Sequence, residues 1–520
     1  MNLDTPRIGW QAGDDLGAIV ARHAREAPDR AALVHGARTL TWAQLDRRVD
    51  RAASALAASG VRHGDKIALL GENSIEYAEV FFGALRAGAC VVPLPTMASV
   101  DSLARMMSDC GARALFVSAA YRETGRAIAG DAVALHVSFE GEAAPDDALG
   151  YAAFLERGSG PAPVVPIGPD DAFDVIYSSG TTGVPKGIVH THAARKASYG
   201  GSRAGYFDDR TVNMLATPFY SNTTSVTWFI TTARGGTNVI LGKFSPEALL
   251  EAVARHRVTH AMLVPVQYER ILRSDRFASS DRSSLRFLFS TSAPLSADTK
   301  RRILDETSAE LVEIYGLTEG GPVTILEGRK HPDKLASVGK PGPGIDIRIV
   351  DDAGRDVPSG DAGEVVGRSP NMMSGYLNRP DDTSAMLWRD ESGALYFRTG
   401  DLGRFDEDGF LYLLDRKKDV IISGGFNIYA TDLESVLSRH PAVAEVAVIG
   451  VPSEQWGETP IALVVLRPGA SDPAEALREY CNARVGKAQR LSAVEIRSDL
   501  PRNAIGKVVK RELREPYWRK

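Results

Sequence analysis

Eleven consecutive residues, YSSGTTGVPKG from Tyr177 to Gly187, concentrate groups that bind anions. Gly180, Gly183 and Gly187 let a backbone approach an anion closely, and successive amides there can form a phosphate nest. Ser178, Ser179, Thr181 and Thr182 add hydroxyl donors, and Lys186 adds a mobile positive charge. The stretch departs from the GxxxxGK[ST] phosphate loop, because Val184 and Pro185 precede Lys186 and Gly187 follows it. By residue type alone it is either a phosphate cradle or a flexible surface linker. By residue type alone, Thr318-Glu319 is a helix start or a solvated pair, Asp401 a turn residue, and Lys507 a solvated lysine in a basic tail.

Positioning such groups takes a scaffold, and 520 residues suffice for more than one core. Over about the first 400 residues helix-like and strand-like stretches alternate, the pattern of an α/β domain. In TWAQLDRRVDRAASALAASG, Thr41 and Gln44 have capping-box spacing, and Trp42, Leu45, Val49, Ala52 and Leu56 recur at helical intervals up to Gly60. KIALL then reads as a strand, Ile75 to Ala87 as a helix, and CVVPL as a further strand. From about residue 345, IDIRIVDDAGRDVPSGDAGEVVGRS alternates apolar and polar residues between glycine-containing turns, which predicts β-hairpins. After the charged run DRKKD, Asp415 to Asp419, a small α+β set begins.

Composition removes several functional classes. Charged residues make up 24% and hydrophobic ones 44%, ordinary for a globular chain. The net charge of −5 is spread without a long basic block, so nucleic acid is not expected as a partner. Cys90, Cys110 and Cys481 have no close pairing, which argues against a disulfide framework or a Cys-type zinc site. MNLDTPRIGWQAGDD has no basic start leading into an apolar run, and EVFFGALRAGACVVPLP is too short to span a bilayer. A cytoplasmic protein with no integral membrane segment is expected.

The order of residues in YSSGTTGVPKG closely resembles the phosphate loop of the adenylate-forming superfamily: acyl-CoA synthetases, peptide-synthetase adenylation domains and beetle luciferases. Other signatures follow in sequence. YGLTEGG (Tyr315 to Gly321) resembles the adenine and magnesium segment, GEVVGRSPNMMSGYLN the next signature, and YFRTGDLG (Tyr396 to Gly403) the ribose motif. DRKKDVIISGGFNIY resembles the hinge and the start of the C-terminal domain, and LPRNAIGKV the segment with the catalytic lysine. The resemblance extends over nearly the whole chain. It implies an AMP-forming acid–thiol ligase using ATP, Mg²⁺ and coenzyme A. The fold it implies is α/β, with a large N-terminal domain bearing β subdomains (1–415), a hinge (416–419) and a small mobile α+β domain (420–520).

The resemblance also implies roles. Thr181, Thr182 and Lys186 contact the β- and γ-phosphates, with Ser178, Ser179, Gly180 and Gly183 in the same loop. Thr318 meets the α-phosphate and Glu319 holds Mg²⁺. Ser292, Ala293, Pro294, Tyr315 and Gly316 lie along the adenosine side, while Asp401 and Arg416 hold the ribose. Lys507 neutralises charge between the attacking carboxylate and the α-phosphate, and Lys418 is the pivot. Gly424 and Gly425 line a pantetheine tunnel, with Arg86 and Trp456 as further CoA contacts. If Lys507 were acetylated by a protein lysine acetyltransferase, its charge would be lost and adenylation blocked.

This chain departs from the pattern where the acid should bind. ATPFYSNTTSVT puts Ser221 at a position where many relatives have histidine, and TSAPL puts Thr291 and Ser292 where relatives have glycines. Phe219, Tyr220, Ser221, Asn222 and Thr223 are candidate acyl-pocket residues. Their polar groups either select a substituted aryl or arylpropenoic acid or bond to their own backbone and leave a slot for a fatty acid. The open alternatives are a medium-chain fatty acid, delivery to a separate carrier-protein thiol, and a nucleotide-binding protein without turnover.

Overall fold

The capping box at Thr41 forms as its spacing predicts. Thr41 Oγ1 accepts Gln44 N, and Gln44 Oε1 accepts Thr41 N at 2.8 Å. The helix it starts, Trp42–Ala58, buries Trp42, Leu45, Val49, Ala52 and Leu56 on one face. The computed structural model describes residues 9–130, 133–139, 148–178, 185–424, 426–502 and 508–518. The chain divides into two compact units. The first comprises Met1–Leu335, Gly339–Asp346 and Gly367–Phe397, and the second Ala336–Val338, Ile347–Val366 and Arg398–Lys520. The second unit thus takes in part of the β-hairpin region, and the charged run at 415–419 lies inside it.

Two sheets form the first unit. Among the described residues, one has nine strands, with Glu310–Gly316, Phe287–Ser290, His260–Leu263, Val212–Leu215 and Thr237–Ile240 at its centre. The other has eight, in the order Gly375–Tyr376, Lys186–Thr191, Ala172–Ser178, Cys90–Pro93, Lys66–Leu70, Ala114–Val117, Leu135–Ser138 and Leu149–Gly150. The short apolar runs between helices pair in parallel, as fully buried strands of an α/β sheet do. One hydrophobic cluster joins residues of both sheets, including Leu69, Val91, Leu215 and Phe289. Helices Ile75–Arg86 and Asn222–Arg234 fill it with aromatic rings: Phe81 and Phe82 lie 5.0 and 5.3 Å from the Trp228 ring centre.

In the second unit, strands Val443–Ser453 and Gly457–Leu466 pair antiparallel, and Ala493–Arg497 adds in parallel. Helices Ala430–Ser438 and Ala474–Asn482 bury Leu433, Leu437, Leu477 and Cys481 against that sheet. Asp415 holds the start of the first helix from a distance: its Oδ2 accepts Ala430 N at 2.7 Å, and its Oδ1 accepts Arg416 N at 2.7 Å. No helix among the described residues is long and apolar enough to cross a membrane.

Candidate active site

The glycine-rich stretch joins two antiparallel strands, Ala172–Ser178 and Lys186–Thr191. Their register places Ser178 opposite Lys186, Tyr177 opposite Gly187, and Asp174 opposite His190. Ser179, Gly180, Thr181, Thr182 and Gly183 lie outside the described residues. The Gly187 carbonyl accepts Leu377 N at 2.7 Å, and Gly375–Tyr376 pairs with the second strand. That pairing delivers Tyr376 to the hairpin.

Lys186 Nζ stands 3.0 Å from Asp382 Oδ2 and 5.1 Å above the centre of the Tyr376 ring. The Tyr376 hydroxyl donates to Glu319 Oε1 at 2.9 Å. Burial, reinforced by the Glu319 charge, pushes the phenol well above its ordinary range, so it remains a donor at neutral pH. The Glu319 carbonyl in turn accepts Met373 N at 2.9 Å. Gly320 follows with φ +76, and a Cβ there would fall 2.4 Å from Asn371 O. The glycine in TEGG is therefore a requirement of close packing. Tyr315 and Gly316 end the strand Glu310–Gly316, opposite Thr324 and Val323.

Beneath the hairpin lies a charged network. Asp174, His190 and Arg195 are 1%, 2% and 4% exposed. Asp174 Oδ1 faces His190 Nδ1 at 2.8 Å, and Asp174 Oδ2 accepts Arg195 Nη2 at 2.6 Å. Burial raises the Asp174 carboxyl, but the charges of Arg195 and His190 outweigh it and hold the group below the usual carboxylate range. At one end His190 Nε2 donates to the Thr318 carbonyl at 2.7 Å. At the other, Arg195 Nη1 donates to Asn222 Oδ1 at 2.8 Å.

The segment expected to line the acyl pocket has largely satisfied its own polar groups. Ser221 caps the Asn222–Arg234 helix by accepting Thr223 N, Thr224 Oγ1 donates to Pro218 O at 2.6 Å, and Ser225 Oγ donates to Asn222 O at 2.7 Å. Buried Asn73 braces the approach, donating to Thr217 O and accepting Phe219 N, both at 2.8 Å. Phe219 stacks on Trp228 at 4.3 Å within the hydrophobic cluster, and Tyr220 is buried beside it in the chain. Thr223 Oγ1 and Ser292 Oγ lie 2.5 Å apart. Ser292 has φ +78, the left-handed region where glycine is at home. The loop goes on through Ala293 and Pro294 to Leu295, whose amide donates to buried Glu313 at 3.4 Å.

In the second unit, Asp401 and Arg416 are opposed across the antiparallel strands Leu395–Phe405 and Leu411–Arg416, with Arg416 Nε 2.6 Å from Asp401 Oδ1. Gly400 takes φ +68, and Thr399 Oγ1 accepts Asp401 N at 2.9 Å. Lys418 lies in the short 3-10 turn Lys417–Asp419, and its carbonyl accepts Arg514 Nη1 at 2.8 Å. Gly424 takes φ +58, and its amide donates to Trp456 O at 2.8 Å. Its missing Cβ leaves room for the half-exposed Trp456 ring. Gly425 and Lys507 lie outside the described residues; Arg502 and Val508, which flank the latter's segment, form an antiparallel bridge. Arg86 is occupied in the first unit: Nη2 donates to Asp46 Oδ1 at 2.6 Å and to Gly17 O at 2.9 Å.

Sequence reading assigned no role to Tyr376, Asp382, Asn73, Asp174, His190 or Arg195. Tyr376 stands inside a quoted signature. The signal for the buried network was a lone aspartate in the otherwise apolar run AFDVIY.

Comparison with known proteins gives the family. The family model described as AMP-binding enzyme matches residues 20–377, and that described as AMP-binding enzyme C-terminal domain matches 432–507. A feruloyl-CoA synthase of Amycolatopsis sp is 36% identical over 505 residues, covering 96% of this chain and 99% of that protein. An indoleacetate–CoA ligase of Aromatoleum aromaticum is 34% identical over 511 residues, covering 97% and 99%. The solved o-succinylbenzoate CoA synthetase of Bacillus subtilis, in complex with its acyl-adenylate intermediate, superposes with a TM-score of 0.84 at 28% identity, covering 97% and 98%. This chain belongs to the AMP-binding enzyme family and is an adenylate-forming enzyme of the acyl-CoA ligase type.

Proposed function

We propose that this ligase acts on an aryl or arylpropenoic acid and that coenzyme A is its acceptor. In the first step a carboxylate oxygen of the acid attacks the α-phosphorus of ATP, and the bond to the β-phosphate oxygen breaks to release pyrophosphate. In the second, the CoA sulfur attacks the acyl carbon, the thiol proton is lost, and AMP leaves. The observation that carries the reading is the linkage Lys186–Tyr376–Glu319, which joins a mobile cation to a carboxylate across a glycine-rich hairpin. Relatives that are feruloyl-CoA synthase and indoleacetate–CoA ligase favour the aryl acid.

Each residue has a distinct task in this proposal. Lys186, with Thr181 and Thr182, neutralises the departing pyrophosphate, and Asp401 with Arg416 orients the ribose. Lys507 stabilises the charge that gathers between two anions in the first step. Glu319, whose Oε1 accepts from Tyr376, would hold a magnesium ion, a hard cation that suits carboxylate and phosphate oxygens. When bound, that ion would supply Lewis-acid polarisation of the phosphates. Lys418 is the pivot between the two steps, and Gly424 and Gly425 admit the thiol arm.

A fatty acid is the second reading. It rests on the self-satisfied hydroxyls of Ser221, Thr224 and Ser225, which leave few free polar groups to meet a ring substituent. The test is pyrophosphate release with Mg·ATP across hydroxylated benzoates, cinnamates, aryl acetates and C4–C12 fatty acids, with and without CoA. Multiple turnover on aryl acids only when CoA is present supports the proposal. Turnover confined to the fatty acids replaces it with the second reading, and release that ignores CoA moves the acceptor to another thiol.

A further inference from the structure

Asp174, His190 and Arg195 are each more than nine-tenths buried, a costly place for charge. An apolar trio of similar volume would commonly serve stability as well or better. A buried carboxylate and guanidinium in a sheet-and-helix junction therefore call for a reason beyond packing. The reason lies in what the network touches at its two ends.

One end is the Thr318 carbonyl, which accepts His190 Nε2 at 2.7 Å. The next residue is Glu319, whose carboxylate receives Tyr376. The other end is Asn222 Oδ1, which accepts Arg195 Nη1 at 2.8 Å. Asn222 opens the Asn222–Arg234 helix, beside Thr223, whose hydroxyl meets Ser292. Asp174 and His190 also stand directly opposite on the two strands that carry the glycine-rich loop. A single carboxylate thus holds an imidazole aimed at the nucleotide-side turn and a guanidinium aimed at the acid-side helix. Apolar packing tolerates sliding of several tenths of an ångström, whereas these directional bonds fix distance and angle.

We propose that Asp174, His190 and Arg195 are positioning residues for adenylation: they set the placement of the Thr318–Glu319 turn relative to the start of the Asn222–Arg234 helix. The inference rests on the functional reading above. In-line attack on the α-phosphate demands alignment, and misplacement by about 1 Å can cost 10²-fold in rate.

The test is steady-state pyrophosphate release on the full chain, varying Mg·ATP and acid separately. His190→Leu cuts the arm to Thr318 and is expected to raise the KM for Mg·ATP about tenfold, with the KM for acid near the parent value. Asn222→Ala cuts the other arm and should raise the KM for acid about tenfold while sparing that for Mg·ATP. Asp174→Asn, at the junction, should raise both. His190→Gln retains a donor for the Thr318 carbonyl and should recover much of the Mg·ATP effect. If every folded variant keeps parental KM values, with kcat falling only in proportion to the folded fraction, the network is purely structural and the inference fails. Should His190→Leu not fold, the two KM values of Asp174→Asn decide. A parent enzyme that releases no pyrophosphate with any acid overturns the functional reading instead.

Discussion

Lys186 and Asp382 form an ion pair at 3.0 Å, with the lysine one-fifth and the aspartate two-fifths exposed. In the role proposed for Lys186, the triphosphate competes with that carboxylate for the same ammonium. Partly exposed pairs contribute modestly, so Asp382→Asn is expected to lower the KM for Mg·ATP about two- to threefold. Lys186→Met removes the cation itself and should lower kcat/KM for Mg·ATP by about 10². Initial rates of pyrophosphate release at varied Mg·ATP decide the point; a higher KM in Asp382→Asn would assign the aspartate to nucleotide binding.

Tyr376 donates to Glu319 and keeps one of its two oxygens occupied. In Tyr376→Phe that oxygen loses a bond to a charged acceptor, of the kind that contributes about 1.5–3 kcal/mol. The Mg²⁺ concentration for half-maximal pyrophosphate release is expected to rise about tenfold at saturating ATP. An unchanged magnesium requirement would detach Glu319 from the metal.

Ser292 occupies the left-handed region, and its hydroxyl meets Thr223. Ser292→Ala keeps the strain and strips Thr223 of its partner, so it should destabilise the protein by about 1 kcal/mol. Ser292→Gly also loses the bond but relieves a strain of about 1 kcal/mol, and should unfold close to the parent temperature. Thermal unfolding of the two variants checks the ordering, and the reverse order would show that the conformation carries no strain.

His260 is buried, with Nδ1 2.7 Å from Thr259 Oγ1 and Nε2 2.9 Å from Tyr206 O. Burial lowers its pKa to about 4, against an ordinary value of 6.5. Between those values the unfolded chain binds the extra proton, so this contribution is complete above 6.5 and is lost as pH falls towards 4. Buried Glu79 and Glu313, raised by burial, act in the opposite sense, so the comparison is between variant and parent. His260→Gln should flatten the acid-side slope of stability by about 1.4 kcal/mol per pH unit. Denaturant titrations at several pH values between 4 and 7 measure it, and parallel slopes would count against a neutral buried His260.

Most of the fold was legible because its signals are local. Helix caps such as Thr41 with Gln44, and the apolar strand runs, act over a few residues and appear as spacing in the sequence. Asp401 and Arg416 were legible as separate motif residues, yet their opposition depends on the register of two strands, which only pairing sets. Tyr376, Asp382 and Asn73 escaped notice because each acts on a residue tens or hundreds of positions away. The departure at Ser292 was visible as a serine among expected glycines. Its positive φ and its bond to Thr223 arise from a tertiary contact that no local rule encodes.

Asp415 bonds both to the amide of the next residue and to that of Ala430. The stretch between them, which contains Lys418, is consequently closed by that carboxylate together with the bond from Thr431 Oγ1 to the Leu414 carbonyl. On the proposed pivot at Lys418, movement of the Ala430–Ser438 helix with the later chain would have to unhook that fastening. Asp415 would then be a latch, and the free energy of its hydrogen bond to Ala430 one contribution to how long the enzyme dwells in each stage of its cycle.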